Sequence, residues 1–291
     1  MGNNTNYSKI IAGTMTWGSW GKQLSTLEMV GLMEQCLSFG ITTFDNADIY
    51  GDYTTEADFG KALQESKIAR ADIQLISKCG IQMTSGNRNN SVKHYQYNKE
   101  YIIWSAEESL KKLKTDYLDV FLLHRPSPLL EPEEIAEAVL SLKNAGKIKK
   151  FGVSNFTSSQ VALLETAIPV AGNQMEFSLT ANGVMTDGTL DDCSIHQRMT
   201  MSWSPLGSYF RKDNKRKKRI KKVLRKLKDK YNASEGQLLL AWILKHPASI
   251  FPVVGTTDSK RLSESVEALK INMELQDWFL LLQASDGKEV A

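Results

Sequence analysis

"FDNADIYG", residues 44–51, is where an apolar run gives way to polar residues: Asp45, Asp48 and Tyr50 arrive in quick succession, and Gly51 closes the stretch. Strands of an open sheet or a barrel end in polar loops, so these residues are either loop filler or half of a catalytic site. The rest of the chain separates the two readings. Short β-like runs recur at 10–15 (IIAGTM), 42–46 (TTFDN), 73–78 (IQLISK), 118–124 (LDVFLLH), 150–154 (KFGVS), 171–176 (AGNQME), 199–204 (MTMSWS) and 250–255 (IFPVVG). Helical patterns lie between them. "STLEMVGLMEQCLSFG" opens on a Ser/Thr cap, spaces its apolar residues at helical intervals and stops at Gly40. "IIWSAEESLKKLK" and "EEIAEAVLSLKNAG" follow the same rule, the second closing at Gly146.

Eight strands alternating with helices specify a parallel sheet. An open dinucleotide-binding sheet carries G-x-G-x-x-G after its first strand, and the chain has no such run. With 291 residues and no Pro/Gly/Ser-rich linker, the expectation is an α/β fold, one (β/α)8 TIM barrel spanning 1–291 as a single domain. Two long loops (81–97 and 179–198) and a basic segment (211–230) interrupt the rhythm. Of the 36 Lys and Arg and the 33 Asp and Glu, 13 and two fall in 211–230; that leaves 23 against 31 elsewhere, a balance of −8, although the whole chain is at +3. The segment reads as an amphipathic helix packed by Ile220, Val223, Leu224 and Leu227, with Arg211 or Lys212 as possible phosphate clamps and no interleaved aromatics to favour nucleic acid. No apolar run is long enough for a membrane helix, the start lacks a signal-peptide pattern, and Cys36, Cys79 and Cys193 are too few and scattered for a disulfide framework or zinc site. The expectation is a cytoplasmic protein with no metal, nucleic-acid or membrane partner.

Side chains at the C-terminal ends of barrel strands converge on one mouth. The second strand ends in Asp45, the third in Lys78 and the fourth in His124, and Tyr50 follows in the loop above. Singly, each has a structural reading: an ion pair, a solvated strand end, a core histidine. Together they suit protonation of an oxygen that becomes negative. Tyrosine holds its proton at neutral pH and can donate it. An adjacent ammonium, Lys78, stabilises the phenolate left behind, and Asp45 pairs with that ammonium. His124 orients a substrate oxygen or shares the proton donation. Gly51 reads as the turn that lets Tyr50 lean over the mouth. Asp48 reads as a loop or helix-capping acid outside the site.

These residues resemble the aldo-keto reductase superfamily over nearly the full length. "DNADIYG" is similar to its D-x-A-x-x-Y-G signature, "ISKCG" and "LLHRPSP" to its lysine and histidine strand ends, "GKIKKFGVSNF" to G-K-I-R-x-x-G-V-S-N-F, "NQMEFS" to N-Q-x-E-x-S, and "SWSPLG" to Y/W-S-P-L-G. The wording resembles most a bacterial subgroup of predicted oxidoreductases. The resemblance implies an NADP-dependent oxidoreductase reducing an aldehyde or ketone, with Asp45, Tyr50, Lys78 and His124 as catalytic tetrad and Tyr50 as general acid. It implies NADPH lying across the mouth: Gly13, Thr14 and Met15 at the nicotinamide end; Ser154, Asn155 and Gln174 on the carboxamide; Trp203 stacked on the ring; Ser204, Pro205, Leu206 and Gly207 at the pyrophosphate; Gly255, Thr257, Arg261, Glu264 and Ser265 at the adenosine phosphate. An arginine there favours NADPH over NADH. Gly255 stands where many members have lysine, and Ser265 where they have asparagine. Arg125 is a candidate pocket residue, and Trp17 is either a second one or a structural residue. Two other readings stay open: a cofactor-binding regulatory or interaction protein of the superfamily with slow or no turnover, and a Schiff-base aldolase using Lys78. The oligomeric state is open, with the family favouring a monomer, and the substrate carries no readable pattern.

Overall fold

The computed structural model describes residues 7–211 and 213–290. Among the described residues, ten strands occur in chain order: β1 (Ile11–Gly13), β2 (Thr43–Asp45), β3 (Gln74–Cys79), β4 (Ile81–Gln82), β5 (His94–Tyr95), β6 (Leu118–Leu123), β7 (Ile148–Ser154), β8 (Gly172–Glu176), β9 (Met199–Trp203) and β10 (Phe251–Val254). Eight of them close a barrel in the order β1-β10-β9-β8-β7-β6-β3-β2, and every pairing is parallel. All eight barrel strands fall where the apolar runs of the sequence place them. The chain folds as a (β/α)8 TIM barrel.

Two segments differ from their sequence reading. Residues 81–97 are not a plain loop: β4 and β5 pair as an antiparallel hairpin, with Ile81 opposite Tyr95. Residues 179–198 hold a 3-10 turn at Gly183–Met185 and a helix at Thr189–Ile195. The basic segment forms a helix, Lys215–Tyr231, that buries Ile220, Leu224 and Leu227 as its spacing predicts. Of its two expected phosphate clamps, Lys212 lies outside the described residues.

Local sequence explains where the helices begin. Ser25 and Glu28, Thr157 and Gln160, and Ser234 and Gln237 each form a reciprocal capping box. Pro132 opens the helix Pro132–Asn144, where its missing N–H costs nothing. Cys36, Cys79 and Cys193 are buried and unpaired. Among the described residues, no helix is long and apolar enough to cross a membrane.

The strand period of two decides what reaches the mouth. Ile11, Ile76, Val120, Leu122, Met199, Met201, Phe251 and Val253 fill the barrel interior. Leu75, Cys79, Phe121 and Leu123 face the surrounding helices instead. The next inward position after Ile76 is therefore Lys78, and after Leu122 it is His124. Both stand one layer above the apolar filling, at the C-terminal rim.

Candidate active site

Four side chains meet at that rim. The Lys78 ammonium has no solvent exposure, and three oxygens surround it: Asp45 Oδ2 at 2.8 Å, the Asn46 carbonyl at 2.7 Å and the Tyr50 hydroxyl at 3.0 Å. Taking an ammonium and a carboxylate out of water costs several kcal/mol per ion unless both are fully paired and hydrogen-bonded. Here they are. Asp45 Oδ1 accepts from the Gln174 amide at 2.8 Å, so the carboxylate is held from both sides. Burial works against the Lys78 charge, but Asp45 and Tyr50 outweigh it and raise its pKa. Lys78 is therefore cationic at neutral pH.

Burial also raises the Tyr50 pKa, opposed mainly by the Lys78 charge, so the phenol keeps its proton at neutral pH while touching the group that would stabilise its anion. The chain reaches this geometry through an unusual turn. Gly51, Asp52 and Tyr53 all have positive φ, at 60°, 56° and 70°. A Cβ on Gly51 would lie 2.3 Å from the Thr55 hydroxyl oxygen, so the position requires glycine. His124 packs edge-on to Tyr50, with ring centroids 6.1 Å apart, and its Nδ1 is buried with no hydrogen-bond partner among the described residues. Burial, then the charges of Lys78 and Arg125, hold its pKa well below the usual histidine range. A neutral imidazole can hydrogen-bond an oxygen at this position, but it is not a proton store at neutral pH.

The remaining expected residues fall into two groups. Around the mouth, the Asn155 side chain accepts from the Trp203 indole N–H at 2.9 Å and donates to Ser154 Oγ at 2.7 Å. Gln174 spends its N–H on Asp45. Thr14, at the end of β1, donates to the Asp45 carbonyl and the Asn46 side chain, which anchors Gly13, Thr14 and the exposed Met15 beside β2. Arg125 reaches across the mouth, its guanidinium 5.6 Å over the Trp203 ring and 3.4 Å from Ser154 Oγ. Of the two readings of Trp17, the structure supports the structural one. Its indole is 1% exposed and packs at 6.1 Å from Phe44 and 6.0 Å from Phe59, in the layer between barrel and helices. The exposed Trp20, 6.3 Å from the Tyr50 ring, stands at the rim instead.

The second group lines a cavity of about 660 Å³ beyond the mouth: Ser204, Pro205, Leu206, Gly207, Gly255, Arg261, Glu264 and Ser265. Thr256 rather than Thr257 forms its wall, and Arg211 and Lys228 of the basic segment join it with Ser234 and Gln237, none but Arg211 among the expected phosphate or cofactor contacts. Ser204 and Gly207 turn at positive φ, and Arg211 donates twice to the Gly207 carbonyl, at 2.8 and 3.2 Å. The cavity's size and its three cations fit a nucleotide carrying phosphate.

Asp48 lies in the turn before Tyr50, as its loop reading expects, but it is buried: it is 3% exposed, and Tyr101 and Ser105 donate to its Oδ2 at 3.3 and 3.4 Å. Burial, then the nearby Glu56, push its carboxyl up to about 8, against weaker opposing effects that include Arg88 and Lys112. A carboxyl whose folded pKa is raised contributes stability that is full below about 4 and is lost as pH rises through about 8. Asp48→Asn should therefore flatten the fall in thermal stability between pH 5 and pH 9, by up to about 4 kcal/mol. Melting curves of the two proteins that stay parallel across that range would contradict the assignment.

With this geometry in place, comparison with known proteins assigns the family. The model of the aldo/keto reductase family matches residues 9–284. The chain belongs to the aldo/keto reductase family. An uncharacterized oxidoreductase of Bacillus subtilis is 39% identical to this aldo/keto reductase over 290 residues, which are 98% of this chain and 96% of that one. A 6-dehydroglucose reductase of Agrobacterium fabrum is 36% identical, covering 97% of each. Among solved structures, an aldo-keto reductase from Klebsiella pneumoniae, determined in complex with NADPH, shares the fold with a TM-score of 0.76 at 24% identity, over 94% of this chain and 90% of that one.

Proposed function

We propose that this aldo/keto reductase is an NADPH-dependent carbonyl reductase in which Tyr50 protonates the substrate oxygen. The observation that supports it best is the 3.0 Å contact between the Tyr50 hydroxyl and a fully buried Lys78 ammonium. When bound, the nicotinamide supplies the hydride. The protein's part is to hold the carbonyl oxygen, give it a proton and stabilise what remains. His124 and Tyr50 converge on one oxygen: the neutral imidazole donates a hydrogen bond, and the phenol transfers its proton as negative charge develops. Lys78 then faces a phenolate, and Asp45 keeps the ammonium in place between turnovers. Ser154, Asn155 and the Gln174 carbonyl would hold the carboxamide, with Trp203 against the ring. The Ser204–Gly207 turn and Arg211 would meet the pyrophosphate, and Arg261 the 2′-phosphate.

The test is a fluorescence titration with NADPH and NADH, followed by turnover on a panel of aldehydes and ketones. Sugar aldehydes head the panel, because two relatives carry the name 6-dehydroglucose reductase. The expected result is NADPH binding well below millimolar and tighter than NADH, with NADPH oxidised as at least one carbonyl is reduced. Binding of neither nucleotide below about 1 mM, equivalent to about −4 kcal/mol, would end the reading.

A further inference from the structure

The basic helix Lys215–Tyr231 carries many cations, and the protein already uses several. Arg219 binds the carbonyls of Ala284 and Ser285, Arg216 the carbonyl of Thr180, and Lys230 pairs with Glu274 and Asp277. Lys228 is different. It lies on the face turned to the nucleotide-sized cavity and is part of its wall. Its ammonium has no ion-pair or hydrogen-bond partner among the described residues.

The other two cations of that wall are committed. Arg211 is tied to the Gly207 carbonyl, and Arg261 leans on Asp258 at 3.7 Å. The wall also carries two carboxylates, Glu235 and Glu264, and the Ser234 hydroxyl donates to Glu264 at 3.1 Å. Across the cavity Gly255 presents no side chain, and a Cβ there would meet nothing within 4 Å. A doubly charged phosphate next to two carboxylates needs more than one partly neutralised arginine. Among the described residues, Lys228 is the one cation of the wall with no ion-pair or hydrogen-bond partner.

We propose that Lys228 is a second contact for the 2′-phosphate of NADP(H), and that it sets the preference for NADP(H) over NAD(H). The inference rests on the NADPH reading above. It gives one lysine of the basic helix a binding role, while its outward neighbours remain a solvated face.

Isothermal titration of Lys228→Ala with NADP+ and NAD+ tests the assignment, with Arg225→Ala on the same helix as control. Lys228 is an exposed side chain, so the variant should fold. The wild-type protein should bind NADP+ more tightly than NAD+. Lys228→Ala should weaken NADP+ binding about tenfold, leave NAD+ within twofold and show a shallower salt dependence for NADP+. Arg225→Ala should change neither. Unchanged NADP+ affinity in Lys228→Ala would overturn the proposal while leaving the cofactor reading intact. So would an equal loss for both nucleotides, which would place the lysine on the shared pyrophosphate. A wild-type protein that binds neither nucleotide would sink the cofactor reading itself, and this proposal with it.

Discussion

Tyr50→Phe is expected to lower kcat for carbonyl reduction by about 10²–10⁴-fold, the usual contribution of a positioned proton donor, while NADPH affinity stays within about twofold. The change removes one oxygen and keeps the ring. That ring packs against His124 and Trp20, so the mouth should hold its shape. Lys78 keeps Asp45 and the Asn46 carbonyl as partners, so its charge remains compensated. Stability should therefore change little and turnover a great deal. Single-turnover oxidation of NADPH, followed by absorbance, separates the chemical step from product release. A variant with near wild-type turnover and intact binding would remove Tyr50 from the acid role.

Lys78→Met should produce a different pattern. It deletes one member of a buried ion pair and leaves the Asp45 carboxylate with the Gln174 amide and a long 3.5 Å contact from the Tyr50 hydroxyl as its side-chain donors. Breaking such a pair costs about 3–5 kcal/mol, more than the pair itself contributes, because an uncompensated charge stays buried. For a chain of this length the melting temperature should fall by about 5–10 °C. Turnover should fall as well, since a developing phenolate would lose its counter-charge. Asp45→Leu combined with Lys78→Met removes both charges, so it should regain most of the lost stability and none of the activity. If the double variant melts no higher than the single one, the buried-charge explanation fails.

The four-residue constellation at the mouth was legible in the sequence for a simple reason. Strand side chains alternate with period two, so an ionisable residue ending an apolar barrel strand has only the interior rim to go to. Asp45, Lys78 and His124 could be placed together from three strand ends alone. Loops obey no such rule. Trp17 follows β1 closely, but the turn closed by its N–H to the Thr14 carbonyl at 2.9 Å directs the indole into the helix layer. The burial of Asp48 could not be read locally, because its hydrogen-bond partners, Tyr101 and Ser105, are more than fifty residues away. Lys228 was hidden differently. In a helix dense with lysine and arginine, composition cannot show which one faces a cavity; that depends on how Ile220, Leu224 and Leu227 dock the helix. The β4–β5 hairpin was masked by its polar composition, since two-residue strands leave almost no periodic signal.

The most direct measurement follows the hydride itself. NADPH carrying deuterium at C4 on one face or the other is oxidised with a carbonyl substrate, and the alcohol is examined by mass spectrometry. The predicted result is one deuterium on the former carbonyl carbon from a single one of the two labelled forms, because Asn155, Gln174 and Trp203 would fix which face of the ring meets the substrate. No NADPH oxidation with any carbonyl, or an alcohol free of deuterium from both labelled forms, would contradict hydride transfer at this site.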